Sequence, residues 1–378
     1  MRKILYISGT RADYGLMRNT LKHIRNKKGL QLKIIATGMH LMEDFGKTVS
    51  EIRRDGFDVS TIDATYLGDD RESMAAFVGK LIIKLTIEMQ KNRPDMILLL
   101  GDRGEMLAAA IVGTYLSIPI AHLHGGEISG NVDDRVRHAI TKLAHIHLPA
   151  TEKSAKRIKA MGEESWRIHV VGAPGLEEII GRKQPPKKEV FSKFSLDEKK
   201  PIIVVIQHPV TTEIEDAGRQ MKTTLEAVSA FDANRVVIYP NADAGGRKMI
   251  KFIEEYSKRP GFTVYKSIEH SDFLTLLKYA DVLVGNSSCG LIEAPSFHLP
   301  AVNIGTRQTG RERAKNVIDV GYSKGNIIKA IRLTISKEFR KKIRKCKNPY
   351  GDGKTAKKVV NVLMGLRLDD RLIQKCRF

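Results

Sequence analysis

The chain has 378 residues, 42% of them apolar and 28% charged, a composition that suits two globular domains with filled cores. No run approaches the roughly 18 apolar residues of a membrane span, so no membrane-spanning segment and no membrane partner is expected. Cys289, Cys346 and Cys376 are widely spaced and form no CxxC pair, which excludes a disulfide scaffold or zinc ribbon and points to a reducing, cytoplasmic setting.

Net charge is +21, from 64 Lys and Arg against 43 Asp and Glu. From Arg311 to the end stand 20 basic and 6 acidic residues, so two-thirds of the excess lies in the last fifth of the chain. A nucleic-acid surface would interleave aromatic platforms or a recognition motif with those charges. Around the densest basic run, Arg340 to Lys345, only Phe339 and Tyr350 are near. A solvated basic helix face is the simpler reading, and nucleic acid is not the expected partner. The field of such a chain also draws in anionic substrates.

The start, Met1 to Gly9, has the basic residues of a signal peptide but turns to glycine before an adequate apolar core, and reads as a first strand. Strand-like runs follow at Leu32–Thr37, Met96–Leu100, Pro119–His122, Ile146–Pro149 and Ile168–Val171, with helix-length patterns such as Ser73–Asn92 and Arg103–Leu116 between them. Continuous apolar strands with helical crossovers predict a parallel sheet covered on both faces. Linker chemistry at Gly172–Gly175 and Arg182–Lys188 precedes a second series, at Ile202–Ile206, Arg235–Tyr239, Phe262–Lys266, Val282–Val284 and Ala301–Ile304. The fold class is therefore α/β, two doubly wound Rossmann-like domains facing a cleft. The domains are read as 1–178 and 179–354, with a helix in 355–378 packing back on the first.

The strand ends carry the chemistry. Ser8-Gly9-Thr10-Arg11-Ala12-Asp13-Tyr14-Gly15 is not a GxGxxG loop, so a dinucleotide fingerprint is absent; a glycine turn before a helix still suits an anion, with Arg11 to fork onto phosphate. Leu100-Gly101-Asp102-Arg103 ends the next central strand, Asp102 being either a functional carboxylate or a helix N-cap. His122-Leu123-His124-Gly125-Gly126-Glu127 follows. Two histidines alternating on a strand make a metal conceivable, but no HExxH accompanies them, and the paired glycines with Glu127 read better as backbone brought close to a ligand. In the second domain His208 and the loop Tyr239–Gly246 end strands, and Gly285-Asn286-Ser287-Ser288-Cys289-Gly290 offers hydroxyls and free N–H groups to a diphosphate. Glu293, one turn on, either accepts ribose hydroxyls or complements the helix dipole.

Together these motifs resemble the hydrolysing UDP-N-acetylglucosamine 2-epimerases of sialic acid synthesis, relatives of the non-hydrolysing epimerases and of two-domain (GT-B) glycosyltransferases. The resemblance runs from Gly9-Thr10-Arg11 to Gly305-Thr306-Arg307-Gln308-Thr309-Gly310-Arg311. The non-hydrolysing branch has GTRPE and HxEAGLR where this chain has Thr-Arg-Ala-Asp-Tyr-Gly and His-Leu-His-Gly-Gly-Glu. The sugar-kinase domain fused to the animal enzymes is not part of the sequence.

Carried over by motif, Arg11, Arg103, His208, Asn241, Ser287, Ser288, Glu293 and Arg307 would hold UDP. Asp102, Glu127 and Asp134 would surround the sugar, with His40 nearby, and Asp102, Glu127, Asp134 and His208 are the candidate catalytic groups. Asp134 is preferred over Asp133 because it aligns with the acid preceding Arg in relatives. The activity implied is conversion of UDP-N-acetylglucosamine and water into UDP and N-acetylmannosamine, without nicotinamide cofactor or metal, by a homo-oligomer (dimer or tetramer). C2 beside an acetal is not acidic, so its proton leaves as UDP departs from C1, and water adds to the resulting glycal. Some hydrolysing relatives act instead on a UDP-linked 2,4-diacetamido-6-deoxy sugar. A non-hydrolysing epimerase, a retaining glycosyltransferase and an RNA-binding protein are the competing readings.

Overall fold

Met96-Ile97-Leu98-Leu99-Leu100 and Ile202-Ile203-Val204-Val205-Ile206 are buried along their whole length, as strands covered by helices on both faces must be. In the computed structural model, which describes residues 1–66, 68, 70–128, 132–180, 185–241 and 243–375, each lies near the middle of a six-stranded parallel sheet. The linker at 182–184 and Cys376 fall outside the described residues. The chain divides into two units: unit 1 is Met1–Glu127, Val132–Glu177 and the described residues from Tyr350 onward, and unit 2 is Glu178–Pro349 with Ile128.

Unit 1 contains β1 (Arg2–Ser8), β2 (Leu30–Ala36), β3 (Val59–Thr61), β4 (Met96–Leu100), β5 (Ile120–Leu123) and β6 (Ile146–Leu148), in the order β3-β2-β1-β4-β5-β6. Unit 2 repeats the arrangement with β7 (Ile202–Ile206), β8 (Asn234–Ile238), β9 (Phe262–Tyr265), β10 (Val282–Gly285), β11 (Ala301–Ile304) and β12 (Val317–Val320), in the order β12-β11-β10-β7-β8-β9. Both are doubly wound Rossmann-like sheets. Strand order reverses between β1 and β4 and between β7 and β10, and ligands of such folds bind beyond the carboxyl ends of those strands.

One strand expectation needs correction, and two short strands are added to the series. Ile168–Val171 is not a strand: only Ile168 bridges to His147, because the segment turns out of the sheet to meet the C-terminal part of the chain. There Thr355 Oγ1 donates to Val171 O (3.0 Å), and Ala173 N donates to Tyr350 O (2.8 Å). Conversely β3 and β12 are real and were not anticipated. Both are short edge strands with polar residues among their apolar ones, so neither makes an aliphatic run.

The helix Thr355–Gly365 buries Val359, Val360 and Leu363 in one cluster with Ile4 and Tyr6 of β1 and Met17 and Leu21 of helix Arg11–Arg25. Each such side chain contributes roughly 1.5–3 kcal/mol by leaving water. Arg2, from the first strand, donates to the carbonyls of Leu363 and Leu366, capping this last long helix. No helix among the described residues is long and apolar enough to cross a membrane.

Candidate functional site

The candidate residues divide between the units. Arg11, His40, Asp102, Arg103, Glu127 and Asp134 belong to unit 1, and His208, Asn241, Ser287, Ser288, Glu293 and Arg307 to unit 2. Most stand just beyond the carboxyl end of a strand, where a parallel sheet leaves its loops free to carry function.

In unit 1 the loop after β1 is fixed by a reciprocal cap. The Asp13 carboxylate accepts from Gly9 N (3.0 Å), Thr10 N (2.7 Å) and Thr10 Oγ1 (3.0 Å), while Asp13 N donates to Thr10 Oγ1 (3.1 Å). Gly9 has to be glycine, since a Cβ there would strike the buried Glu105 carboxylate. Arg11, which opens the helix, pairs with Glu51. Arg103 turns to Glu105 (Nε to Oε2, 3.2 Å) and to Tyr66 Oη (3.0 Å).

His40 corrects the expectation made of it. It is fully buried, with Nε2 2.9 Å from Ser8 Oγ and Nδ1 2.8 Å from Thr48 Oγ1, so it ties the ends of β1 and β2 together rather than presenting a nitrogen to a sugar. Burial pushes its pKa down to about 4. The two histidines of the β5 motif also separate. His122 Nε2 donates to Gly101 O at 2.7 Å, whereas His124, beyond the strand's end, meets Glu127 Oε1 through Nδ1 at 2.7 Å.

Asp102, Asp134 and Glu127 are gathered by one side chain, Arg137. Its Nη2 pairs with Asp102, and its Nη1 lies 2.5 Å from Asp134 Oδ1 and donates to the Glu127 carbonyl at 3.0 Å. The Arg137 side chain is 1% exposed. Burial alone would lower its pKa, but Asp102, Glu127 and Asp134 outweigh that and hold it above the usual value, so the guanidinium stays charged. Asp102 keeps 22% of its side chain open to solvent. A carboxylate oriented by a buried cation and still accessible is suited to act on a polar substrate.

In unit 2 the two strands at the order reversal are joined by Asn286. Its Oδ1 accepts from His208 N (2.7 Å), its Nδ2 donates to His208 O (2.9 Å), and its own carbonyl accepts from Gln308 Nε2 (2.8 Å). Arg307 Nη1 lies 3.5 Å from that carbonyl. The Asn241 N–H donates to His208 Nδ1 (3.1 Å), leaving the ring's proton on Nε2. Gly285 at the end of β10 has φ +133°, and a Cβ would collide with the Ile206 carbonyl of the paired β7. Glu213 binds two further loops together, accepting from Thr306 Oγ1 (2.7 Å) and Tyr322 Oη (2.9 Å).

The Ser/Gly loop leads into a helix of a single turn, Cys289–Ile292, and Glu293 sits at that helix's carboxyl end, 3% exposed. An acid there opposes the dipole of this turn, but Glu293 is also the N-cap of the short 3-10 helix Ala294–Phe297, at whose N-terminus an acid is favourable. One turn also supplies little macrodipole for an anion, so the polar groups this region offers are chiefly the Ser287 and Ser288 hydroxyls and the Arg307 guanidinium. Cys289, buried below the loop, has its thiol pushed up to about 12 by burial and then by Glu293, and is inert as a nucleophile.

The sequence profile of the UDP-N-acetylglucosamine 2-epimerases matches residues 22–364. The chain belongs to that family. A relative from Legionella pneumophila, the hydrolyzing UDP-N,N'-diacetylbacillosamine 2-epimerase, is 42% identical over all of this chain and 99% of its own. A UDP-N-acetylglucosamine 2-epimerase of Neisseria meningitidis is 38% identical over 89% of this chain and 88% of its own. In three dimensions, a Neisseria meningitidis UDP-GlcNAc 2-epimerase bound to UDP-GlcNAc superposes with TM-score 0.79 at 21% identity, covering 96% of this chain and 99% of that one. The protein is thus a UDP-sugar 2-epimerase with the family's two Rossmann-like domains.

Several organising residues of this epimerase went unread in the sequence. Arg137 had a signal: it stands three residues after Asp134, the spacing that puts two side chains on one helix face, whereas Arg135 is exposed. Asn286 lies inside the Ser/Gly motif, where the serines are the more evident anion ligands. Glu213 and the partnership of His124 with Glu127 gave no sequence signal, since their partners come from other elements or from a turn of unusual backbone, and Glu105 joins its neighbour Arg103 to the distant Tyr66.

Proposed function

We propose that this epimerase is of the hydrolysing type and that its substrate is UDP-N,N'-diacetylbacillosamine, the UDP-linked 2,4-diacetamido-6-deoxy sugar. The observation that carries the reading is the 42% identity, end to end, with a relative of that name. The products are UDP and the free 2,4-diacetamido-2,4,6-trideoxymannose.

Each residue takes a role in that reading. Ser287, Ser288 and Arg307 bind the diphosphate, with Arg11 and Arg103 as further cations, and Glu293 accepts the ribose hydroxyls. His208, fixed by Asn241 and Asn286, donates from Nε2 toward the departing phosphate. Neutralising the diphosphate makes UDP a better leaving group. Asp102, Asp134 and the His124–Glu127 pair surround the sugar, where the C2 proton is lost as the C1–O bond breaks. Hydration of the glycal then sets the inverted centre. Elimination and hydration are together redox-neutral, so the route calls on no nicotinamide.

A second reading, UDP-N-acetylglucosamine to N-acetylmannosamine, is favoured by the 38% identity with the Neisseria meningitidis relative. Incubating the protein with each UDP-sugar in deuterated water separates them. The substrate is the one from which UDP is released faster, and the free sugar should carry deuterium at C2. Recovery of a UDP-linked epimer would overturn the hydrolysing assignment, and a product without deuterium would overturn the elimination.

A further inference from the structure

His124 stands one residue beyond β5 with φ +60°, a left-handed conformation that residues other than glycine keep where their surroundings enforce it. Three contacts enforce it here. His124 N donates to Leu148 O of β6 (3.3 Å), Arg157 donates to the Gly126 carbonyl, and Arg137 donates to the Glu127 carbonyl (3.0 Å). The residue is 7% exposed and its Nδ1 lies 2.7 Å from Glu127 Oε1, yet Nε2 is buried and meets no hydrogen-bond partner among the described residues. A buried polar atom without a partner is rare and calls for a use. A carboxylate on one ring nitrogen fixes the proton there and leaves a lone pair on the other, the tautomer a general base needs.

Of the other histidines near the sugar carboxylates, His138 also has a buried ring nitrogen without a hydrogen bond among the described residues, Nδ1, but no carboxylate is bonded to its ring to fix a tautomer, and two more are engaged on both sides. His40 and His122 have both ring nitrogens within reach of protein partners. Asp102 and Asp134 each give an oxygen to Arg137. The charged and titratable groups around the loop include Glu127 itself, Arg137, Asp134 and His138 from helix Val132–Leu143, Arg157 from helix Glu152–Ala160, and Asp102 from the end of β4.

We infer that His124 Nε2 is the atom that takes the C2 proton, and that Glu127 is a positioning residue acting through it. The inference rests on the function proposed above. The C2–H bond breaks and its electron pair becomes the second bond between C1 and C2. The C1–O bond breaks in turn, its pair leaving on the β-phosphate oxygen of UDP. The proton rests on Nε2, where the Glu127 carboxylate stabilises the imidazolium. Water then adds its hydroxyl to C1 while a proton originating in solvent reaches C2 on the opposite face, and the imidazolium returns its own proton to water.

Two variants test this, each assayed for UDP release from both UDP-sugars and for UDP affinity by calorimetry. His124→Asn keeps an N–H donor in the Nδ1 position and suits left-handed backbone, but has nothing at Nε2. Its kcat should fall at least 100-fold with UDP affinity unchanged. Glu127→Gln keeps an acceptor for Nδ1–H without its charge. Its kcat should fall at least 10-fold with KM and UDP affinity unchanged, because the imidazolium formed in the reaction loses its counter-charge. A His124→Asn protein as active as the wild type overturns the assignment. So does a Glu127→Gln protein without turnover beside a His124→Asn protein that keeps some, for then Glu127 itself is the base. If the wild-type chain releases UDP from neither sugar, the proposed function falls and takes this assignment with it. If His124→Asn does not fold, the kcat and KM of Glu127→Gln decide alone, a loss in KM with kcat kept overturning the assignment.

Discussion

Arg137 Nη1 lies 2.5 Å from Asp134 Oδ1, one helical turn away, while the same guanidinium reaches back to Asp102 at the end of β4. One buried cation therefore sets the positions of two acidic side chains that the sequence separates by 32 residues.

Removing that cation leaves both carboxylates without their counter-charge. Breaking a buried ion pair from one side typically costs about 3–5 kcal/mol. Arg137→Leu should lower stability by an amount in that range, read from the midpoint of urea unfolding, and abolish UDP release. A variant as stable as the wild type would show that water compensates the acids.

Asp102 is the accessible acid of the group, so its charge should matter to turnover more than to folding. Asp102→Asn keeps the shape and should reduce kcat by about 100-fold or more with UDP affinity unchanged, the pattern of an interaction used in the transition state. A raised KM with normal kcat would instead assign Asp102 to substrate binding.

For the nucleotide, Glu293→Ala and the double change Ser287→Ala, Ser288→Ala should each weaken UDP binding. Hydrogen bonds to charged groups contribute about 1.5–3 kcal/mol, which is roughly 10–100-fold in Kd. Calorimetry with UDP alone measures this. Circular dichroism of the variants should match the wild type.

Buried neutral histidines predict acid sensitivity. His40 has its pKa pushed down to about 4, His122 to about 3 and His145 to about 4, each chiefly by burial. A depressed histidine binds its proton more readily unfolded than folded, so stability is full above pH 6.5 and falls as pH drops from there toward 4. Each contributes about 1–2 kcal/mol of that loss by pH 5. Unfolding midpoints at pH 7 and pH 5 should show the decline, and His40→Gln should make it shallower. Glu163 acts in a lower window. Burial would raise its pKa, but bonds from His147, Lys142 and Lys375 bring it down to about 2, so its contribution is present above pH 4.5 and lost below.

The sheets were legible wherever aliphatic residues run together. β4, β7 and β11 appear in the sequence at their observed limits because burial on both faces demands an unbroken apolar run. β3 and β12, at sheet edges, need no such run and left no pattern. The loops were legible for a related reason, since glycine and charge directly after a buried strand have few structural uses. What escaped was pairing across elements. Ser8 at the end of β1 and Thr48 in a distant loop occupy the two nitrogens of His40, and the short helix that leaves Glu293 at its carboxyl end depends on packing no local motif records.

Because Val359, Val360 and Leu363 complete the cluster begun by Ile4 and Met17, the first unit cannot close its core until the end of the chain has been made. Unit 2, apart from Ile128, is contiguous in sequence and leaves the ribosome whole. Domains fold largely as units during synthesis, so the later-encoded unit should reach its native state first. The earlier one waits with the apolar side of β1 and helix Arg11–Arg25 uncovered, and a chain cut short before Thr355 should be held by chaperones rather than released as a folded half.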